Sequence, residues 1–317
     1  MTDVVSAALA RRALKPPRLI ASDLDGTLLN SGGRLSRRTA DALTAVQDLG
    51  VGLVIATARP PRWMHGLTEI IGDHGVVICS NGAFLYHVPN RTVLAERSLT
   101  TAVVKELVAA LRAAIPSITF AVESATGFGR EPSYVDLQVA PPGIPVRDIA
   151  ELLDPLPGKL LARAPDLGQE EFLAAVTDVV GDTAIVAYSG AGGLAEISAA
   201  GVTKAAVLAD WAAERGTGAD DVWAFGDMPN DLAMLTWAGT SFAVANAHAD
   251  VLAATTYTIG SNDDDGVAEI IELLLGEGRQ GGSARHQVDG VLDVVDEVQG
   301  AGHRAVRREP FEQRPGG

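Results

Sequence analysis

Residues 20–29 read IASDLDGTLL, and this stretch decides the fold. An apolar run ends on two carboxylates, Asp23 and Asp25, which are one residue apart and are followed at once by Gly26 and Thr27. Neighbouring carboxylates repel each other and lose solvation, so they are expected mainly where a cation or a reacting group offsets the cost. At the end of a strand, residues i and i+2 project to the same side, so both carboxylates can face one reacting centre.

Two other interpretations of this stretch are open. The letters DLDG also suit an Asp-Gly turn between two strands of a hairpin. A calcium-binding loop is a second alternative, but that pattern needs an oxygen ligand at its fifth position, a glycine at its sixth and a closing glutamate. Here Thr27 and Leu28 occupy the fifth and sixth positions and no glutamate closes the loop.

Other short apolar runs also end on a polar side chain. They are VGLVIAT ending at Thr57, GVVICSN at Asn81, VWAFGD at Asp227 and SFAVAN at Asn246. Near-continuous apolar runs of this length are typical of strands that are buried on both faces of a parallel sheet. The sequence therefore predicts an α/β fold, and the polar ends should meet at the edge of the sheet where such folds bind ligands.

Helical patterns separate these runs. Ser36 is a predicted N-cap, apolar residues then recur at helical spacing, and Gly50 is the predicted stop. Residues 203–216 repeat this pattern. The motif GAGGLA at residues 190–195 resembles a dinucleotide-binding loop, but the helix that must follow it is missing, which argues against a nicotinamide or flavin enzyme.

The alternation changes between residues 84 and 198. This segment shows helical patterns at 101–114 and 169–180, strand-like runs SITFAVES, YVDLQVA and TAIVAYS, and joins rich in proline and glycine. We interpret it as an inserted α+β cap domain. The core domain would then comprise residues 18–83 and 199–276, with an N-terminal extension at 1–17 and a tail at 277–317 that its composition predicts to be disordered.

Composition excludes some functions. The net charge of -15 argues against a nucleic-acid partner, because such proteins use basic patches to neutralise phosphates. No apolar stretch approaches the roughly 20 residues that span a bilayer, so no membrane partner is expected. The only cysteine, Cys79, lies in an apolar run and predicts a buried structural thiol in a reducing cytoplasm. The oligomeric state is not predicted.

A second acidic motif, GDMPND, follows the run that ends at Asp227. Asn230 and Asp231 could simply cap the next helix. Combined with Asp23 and Asp25 at the same edge, however, these residues make an all-oxygen cluster, which suits Mg²⁺ better than zinc.

Two further side chains suit a phosphate ester. Thr57 ends the second strand and can donate a hydrogen bond to a phosphoryl oxygen. Lys204, at the start of a helix, can bring its ammonium next to the negative charge of the same phosphoryl group.

Four motifs in order, DLDGT, ATAR, GVTK and GDMPND, resemble those of the haloacid dehalogenase-like hydrolases. SNGA, EISAAGVTKAAVL and ANAHADVLAATTYTIGSNDDDGVAEII narrow the resemblance to the Cof-type phosphatases, and it extends over residues 18–275. It implies a Rossmann-like core with a central parallel sheet, a large cap between the second and third motifs, and a magnesium-dependent phosphatase.

The resemblance also implies roles for individual residues. Asp23 would be the nucleophile that forms an aspartyl-phosphate, and Asp25 would be the general acid and then the general base. Thr57, Lys204 and Asn230 would bind the phosphoryl group together with Asp23.

The implied magnesium ligands are Asp227, the Asp23 carboxylate and the backbone carbonyl of Asp25. Asp231 and Asn230 would either bind the ion directly or hold its ligands in place. The loop DMPND departs from the family pattern at its methionine and proline, which gives no reason to expect loss of the metal.

The cap should select the substrate, which is expected to be a sugar phosphate or a cofactor phosphate. Arg130 and Tyr134, in the segment ATGFGREPSY, are the predicted substrate ligands. A phosphomutase on the same scaffold and a non-catalytic binding protein are the alternatives.

Overall fold

The computed structural model describes residues 14–64, 75–135, 142–189 and 192–276. The strands are β1 Leu19–Ser22, β2 Gly52–Ala56, β3 Val76–Cys79, β4 Phe84–His87, β5 Thr92–Glu96, β6 Thr119–Ser124, β7 Gly127–Arg130, β8 Pro157–Arg163, β9 Ala184–Ala187, β10 Ala195–Ala199, β11 Val222–Gly226, β12 Thr240–Val244 and β13 Tyr257–Ile259. The α-helices are α1 Arg37–Asp48, α2 Thr101–Ala114, α3 Gln169–Val180, α4 Lys204–Ala213, α5 Leu232–Trp237, α6 Ala249–Ala254 and α7 Gly266–Gly276.

The first sheet has eight strands in the order β13-β12-β11-β1-β2-β3-β4-β5. The strands from β13 to β3 are parallel, and β1 lies between β2 and β11 with Ala21 opposite Val54 and Ala224. The five apolar runs with polar ends therefore form five adjacent strands, as the sequence predicts. The hairpin interpretation of DLDG is wrong, because β1 pairs in parallel with both of its neighbours.

Helices cover both faces of this sheet, which confirms the predicted α/β core. Ile20 faces the apolar cluster that contains α1 and α7, whereas Leu19 and Ala21 face the cluster that contains α4, α5 and α6. Helix α1 begins after Ser36, whose Oγ accepts the Thr39 N–H at 3.0 Å, so the predicted N-cap is confirmed.

The sequence placed the start of the cap domain at residue 84, and the sheet corrects this boundary. Strands β4 and β5 are antiparallel and extend the first sheet beyond β3, with Ile78 opposite Leu85. The burial of β4 alternates along the strand, in contrast to the fully buried β1 and β3. This change of pattern arises because an antiparallel strand near a sheet edge has one solvated face.

The second sheet is antiparallel, with the order β7-β6-β8-β10-β9. Helices α2 and α3, which have the predicted bounds, pack with its apolar face. The opposite face carries the buried charged residues Glu123, Lys159 and Glu196. Because β10 is a strand, no helix follows the GAGGLA motif. The predicted strand YVDLQVA lies mostly outside the described residues.

The two sheets meet closely. A Cβ on Gly158 of β8 would lie 2.4 Å from Cζ of Phe84 in the first sheet, so glycine is needed for this approach. Across the same junction, Arg62 donates two hydrogen bonds to the Glu123 carboxylate, at 2.9 and 3.1 Å. The lobe that carries the second sheet is called the cap below.

The last residues of the predicted N-terminal extension pack on the core. Leu14 is buried, and the Lys15 carbonyl accepts the indole N–H of Trp223 at 3.0 Å. Residues 1–13 and the predicted disordered tail, 277–317, lie outside the described residues. The longest described helix, α2, has 14 residues, and none of the described helices is long and apolar enough to cross a bilayer.

Candidate active site

Asp23 follows β1 and is held at the centre of the sheet edge. Its N–H donates to the Phe225 carbonyl at 2.9 Å, which continues the pairing with β11 by one residue. Its carboxylate is buried and accepts a hydrogen bond from Lys204 Nζ at 2.5 Å. Lys204 is the first residue of α4, whose N-cap Thr203 accepts the Ala206 N–H at 3.1 Å. The N-cap residue Thr203 thus fixes where α4 begins, and with it the position from which the Lys204 ammonium reaches Asp23.

Lys204 also binds Asp231, with 2.6 Å between Nζ and Oδ1. The other carboxylate oxygen of Asp231 accepts the N–H groups of Asp227 and Met228 at 3.1 and 3.0 Å. The Asp231 side chain makes no capping hydrogen bond to α5. Asp231 therefore does not cap α5: its carboxylate accepts the Met228 N–H at the start of the 3₁₀ turn Pro229–Asp231 and pairs with Lys204.

Asp227 completes a buried acidic cluster. Asp23, Asp227 and Asp231 each offer a carboxylate oxygen, and these oxygens lie within 4.8 Å of one another. Thr27 Oγ1 donates to Asp227 at 2.9 Å. Gly26 has a φ of +79°, and a Cβ there would lie 2.4 Å from Asp227 Oδ2. The glycine of DLDG is thus needed both for its backbone conformation and for the close approach of Asp227.

The pKa values of the cluster reflect the burial of several carboxylates close together. Burial raises the pKa of Asp23 well above its usual value; Lys204 opposes this shift, and the carboxylates of Asp231 and Asp227 add to it. Burial, together with Asp231, raises the pKa of Asp227 to about 6. The pKa of Lys204 is also raised, because Asp23 and Asp231 outweigh the effect of its burial. With all three carboxylates ionised, the cluster within the described chain would hold two more negative charges than the Lys204 ammonium compensates; the raised pKa values of Asp23 and Asp227 reflect the cost of that state when no cation is bound.

Asp25 lies apart from this cluster. Arg59 binds its carboxylate through two hydrogen bonds, Nε to Oδ2 at 2.8 Å and Nη2 to Oδ1 at 2.5 Å. Half of the Asp25 side chain is exposed. Asp23 is thus buried with the cluster, whereas Asp25 is half exposed and held by Arg59; its charge nevertheless adds to the raised pKa values of Asp23 and Asp227, which burial chiefly causes.

Thr57 follows β2, the strand beside β1, and is buried. Its Oγ1 accepts the Arg59 N–H at 3.1 Å, and its own N–H donates to the Ile78 carbonyl at 2.8 Å. Thr57 and Asp23 thus end adjacent parallel strands, as the sequence predicts.

Asn230 lies in the loop between Asp227 and Asp231, and its Nδ2 donates to Asn81 Oδ1 at 3.0 Å. Asn81 in turn donates to Glu196 of the cap at 3.2 Å. Glu196 is paired with Lys159 at 2.9 Å, so four side chains connect the acidic loop to the second sheet.

The predicted cap ligands lie in a different setting. Nη1 of Arg130 donates to backbone carbonyls of its own segment, at 3.1 Å to both Glu131 and Tyr134. Tyr134 is buried beside Ala121 and Phe128. These contacts stay within the cap, and the role of Arg130 and Tyr134 as substrate ligands stays a prediction.

Several residues around the site were missed in the sequence. Arg59 stands inside the quoted ATAR motif, and Asn81 ends a quoted strand, so each carried a visible signal. Lys159 and Glu196 are charged residues inside short apolar runs, PGKLLAR and LAEISA. A buried charge in such a run needs a partner, but the sequence does not say where that partner lies.

Known proteins resemble this chain over most of its length. The model of the haloacid dehalogenase-like hydrolase family matches residues 20–271. The pyridoxal phosphate phosphatase YbhA of Escherichia coli is 28% identical, with 80% of this chain and 97% of YbhA covered. The 5-amino-6-(5-phospho-D-ribitylamino)uracil phosphatase YcsE of Bacillus subtilis is 26% identical, with 80% and 94% covered.

Solved structures agree on the fold. The sugar phosphatase BT4131, of haloacid dehalogenase subclass IIB, superposes with a TM-score of 0.69 at 21% identity, covering 81% of this chain and 98% of that protein. The five polar strand ends, the acidic cluster and the inserted cap thus occur in a chain that the family model matches from β1 to α7. The chain belongs to the haloacid dehalogenase-like hydrolases, in their Cof-type branch, and is an enzyme that hydrolyses phosphoric monoester bonds.

Proposed function

We propose that this enzyme is a magnesium-dependent phosphatase that hydrolyses a small phosphorylated metabolite, a sugar phosphate or a cofactor phosphate, through an aspartyl-phosphate intermediate. One observation carries the proposal: the buried carboxylates of Asp23, Asp227 and Asp231 lie within 4.8 Å of one another, and the Lys204 ammonium pairs with two of them. Buried carboxylates that repel each other in this way are typical of sites where a cation or a reacting group offsets the cost of keeping them ionised.

The donor set fits Mg²⁺. Carboxylate oxygens are the ligands that this ion prefers, and the proposed ones come from Asp23 and Asp227, with the backbone carbonyl of Asp25. Asp231 has both oxygens engaged by Lys204 and by backbone N–H groups, which favours a supporting role over direct ligation. When bound, the ion would neutralise charge on the phosphoryl oxygens and on the attacking carboxylate.

The chain's own residues would do the rest. Asp23 is proposed to attack phosphorus as the P–O bond to the leaving group breaks and Asp25 gives the leaving oxygen a proton; water deprotonated by Asp25 then attacks the aspartyl-phosphate and releases inorganic phosphate from Asp23. Thr57 and Lys204 would hold the phosphoryl oxygens. Asn230 is proposed to contact the phosphoryl group from the loop that holds Asp227. Its buried carbonyl oxygen, which has no hydrogen-bond partner among the described residues, points to an additional contact on the metal side.

Asp25 is proposed as the general acid and then the general base. Its half-exposed position suits a group that must exchange protons with the leaving group and with water. The bidentate contact with Arg59 fixes the orientation of the carboxylate and favours its ionised form, which suits the general-base stage of this role.

The substrate class rests on the similar proteins. The relatives named above act on pyridoxal phosphate and on a phosphorylated ribityl-uracil, and the structural neighbour is a sugar phosphatase. We further propose a cytoplasmic location, which fits a sequence whose only cysteine, Cys79, cannot form an internal disulfide.

The test measures inorganic phosphate released from a panel of phosphosugars, nucleotides and phosphorylated cofactors, with Mg²⁺ or with chelator. The wild type is compared with Asp23→Asn, and Asp48→Asn at an exposed position is the matched control. We expect magnesium-dependent release that Asp23→Asn abolishes and Asp48→Asn leaves intact. Release that persists in Asp23→Asn would contradict the proposal, and isomer formation without release would identify a phosphomutase.

A further inference from the structure

Asn81 contacts the loop of Thr57, the loop of Asn230 and the cap. It follows β3 and has a φ of 59°, a left-handed conformation that asparagine tolerates better than most residues. Its N–H donates to the Thr57 carbonyl at 3.0 Å, and the N–H of Ser80 donates to the Arg59 carbonyl at 2.9 Å. The backbone of this segment therefore supports the loop that carries Thr57 and Arg59.

The Asn81 side chain joins the cap to the acidic loop. Nδ2 donates to Glu196 Oε2 at 3.2 Å, and Oδ1 accepts from Asn230 Nδ2 at 3.0 Å. On the cap side, Lys159 Nζ donates to Glu196 Oε1 at 2.9 Å and to the Ala58 carbonyl at 3.0 Å. Glu196, Lys159 and Asn81 are all buried, so these hydrogen bonds are shielded from water.

This chain of hydrogen bonds has a direction. Glu196 pairs with the Lys159 ammonium as a carboxylate, and a carboxylate only accepts hydrogen bonds. Asn81 must then donate from its NH₂ to Glu196, and its oxygen faces Asn230. Asn230 must therefore donate to that oxygen from its own NH₂. The result is that Asn230 Oδ1 is left buried without a hydrogen-bond partner among the described residues. A buried acceptor of this kind is expected to find a donor or a cation when the site is loaded.

We propose that Glu196 and Asn81 are positioning residues: they orient the Asn230 amide so that its oxygen faces the metal side of the site. The inference rests on the proposed magnesium-dependent function and adds a role for the cap in metal binding. The seating of the cap on the core thereby controls which atom Asn230 presents beside Asp227 and Asp231.

Substitutions can reverse the direction of the hydrogen bonds between Glu196, Asn81 and Asn230, and a second substitution can restore it. In Glu196→Gln, Lys159 retains the amide oxygen, so the new NH₂ faces Asn81. Both amides should then flip, and Asn230 presents NH₂ in place of its oxygen. In the double variant Asn81→Asp/Glu196→Gln, the new carboxylate accepts from both sides, Asn230 regains its orientation, and the net charge equals that of the wild type.

The experiment measures the Mg²⁺ dissociation constant by titration calorimetry without substrate, together with the melting temperature of each variant. We expect Glu196→Gln to bind Mg²⁺ about tenfold more weakly and the double variant to return to within about threefold of the wild type. Glu123→Gln is the matched control, since it removes a buried carboxylate from the neighbouring region of the same cap face, and it should bind within about twofold. If Glu196→Gln proves too unstable, Asn81→Gly removes both links without backbone strain and should weaken binding similarly.

Wild-type affinity in Glu196→Gln, or a double variant that binds no better than Glu196→Gln, would overturn the proposal, as would a wild type that does not bind Mg²⁺. Because the readout needs no turnover, the orientation pattern could hold in a protein that releases no phosphate, and that result would reject the proposed function alone. The kcat and KM for p-nitrophenyl phosphate give a second readout. We expect the rescue to restore kcat, whereas a purely structural role for the pair would change the melting temperature and leave kcat at its wild-type value.

Discussion

The ammonium of Lys204 lies 2.5 Å from a carboxylate oxygen of Asp23 and 2.6 Å from one of Asp231, and all three side chains are buried. Lys204→Met would leave two buried carboxylates without their cation. Breaking a buried ion pair in this way costs about 3 kcal/mol or more, and the free energy of unfolding should fall by about that amount at pH 7. Phosphate release should be lost as well, and urea denaturation at pH 7 and pH 5 checks the stability effect.

The loss should be smaller at pH 5, where the carboxylates can take up protons. Lys105→Met, at an exposed position of α2, is the control and should change stability by less than about 0.5 kcal/mol. A Lys204→Met protein as stable as the wild type at pH 7 would show that the three groups do not form the ion-pair network described above.

Alanine substitutions at Gly26 and at Gly50 distinguish the cost of backbone strain from the cost of a steric contact. Both have a left-handed backbone, with φ of +79° and +83°, but a Cβ on Gly26 would lie 2.4 Å from Asp227 Oδ2, whereas a Cβ on Gly50 would meet nothing within 4 Å. Gly50→Ala should therefore cost only the conformational penalty, about 1 kcal/mol. Gly26→Ala should cost more and should weaken Mg²⁺ binding at least tenfold, as measured by calorimetry. Equal effects of the two substitutions on metal binding would contradict the close contact between Gly26 and Asp227.

The sequence predicts the site as far as it is built from strand ends. Asp23, Thr57 and Asp227 each follow an apolar run, and once those runs are parallel neighbours their side chains must share one edge of the sheet. The ion pair of Lys204 with Asp231 is harder to foresee, because it depends on how the start of α4 meets the turn before α5. Taken alone, the GDMPND motif suggests a helix cap for Asp231; only in combination with Asp23 and Asp25 does it suggest the acidic cluster, and the pairing with Lys204 is not visible in the sequence.

Contacts between the lobes could not be predicted from the sequence. Glu196 and Lys159 are visible as charges inside apolar strands, but their partners Asn81 and the Ala58 carbonyl belong to the other lobe. Arg130, at the end of β7, donates to carbonyls of its own segment, a contact that the sequence did not indicate either, and its role as a substrate ligand stays a prediction. The sequence pattern reports burial and spacing, and it does not report the docking of one sheet on another.

Arg59 should matter for the rate because it holds Asp25. The guanidinium makes two hydrogen bonds to the carboxylate, a fork that the point charge of lysine cannot reproduce. Arg59→Lys should lower kcat about tenfold, with a smaller change in the Mg²⁺ dissociation constant, since Asp25 lies outside the acidic cluster. Steady-state kinetics with p-nitrophenyl phosphate measure the effect. Arg37→Lys, in the exposed pair with Asp41, makes the same chemical change at the surface and should leave kcat unaltered; equal kcat values for the two variants would refute a role for Arg59.

The pKa of Asp227 predicts opposite effects of pH with and without metal. Burial raises it from 3.8 to about 6, so the folded protein retains a proton that the unfolded chain releases in this range. In chelator, this carboxyl therefore contributes stability at low pH that is lost as the pH rises through about 6. Mg²⁺ competes with that proton, so the stabilisation by Mg²⁺ should be large at pH 7.5 and should vanish near pH 5. Thermal melts in chelator and in Mg²⁺ across this range measure both effects.

Asp227→Asn isolates this group, because the amide oxygen can still accept the hydrogen bond from Thr27 but carries no charge. In chelator at pH 7.5 the variant should melt at a higher temperature than the wild type, since the buried cluster then holds one negative charge fewer. It should also show a weaker dependence of stability on pH between 5 and 7, and Mg²⁺ should raise its melting temperature little at any pH. A variant that is less stable than the wild type in chelator, or that Mg²⁺ still stabilises fully, would mean that Asp227 is not the uncompensated charge that the ion neutralises.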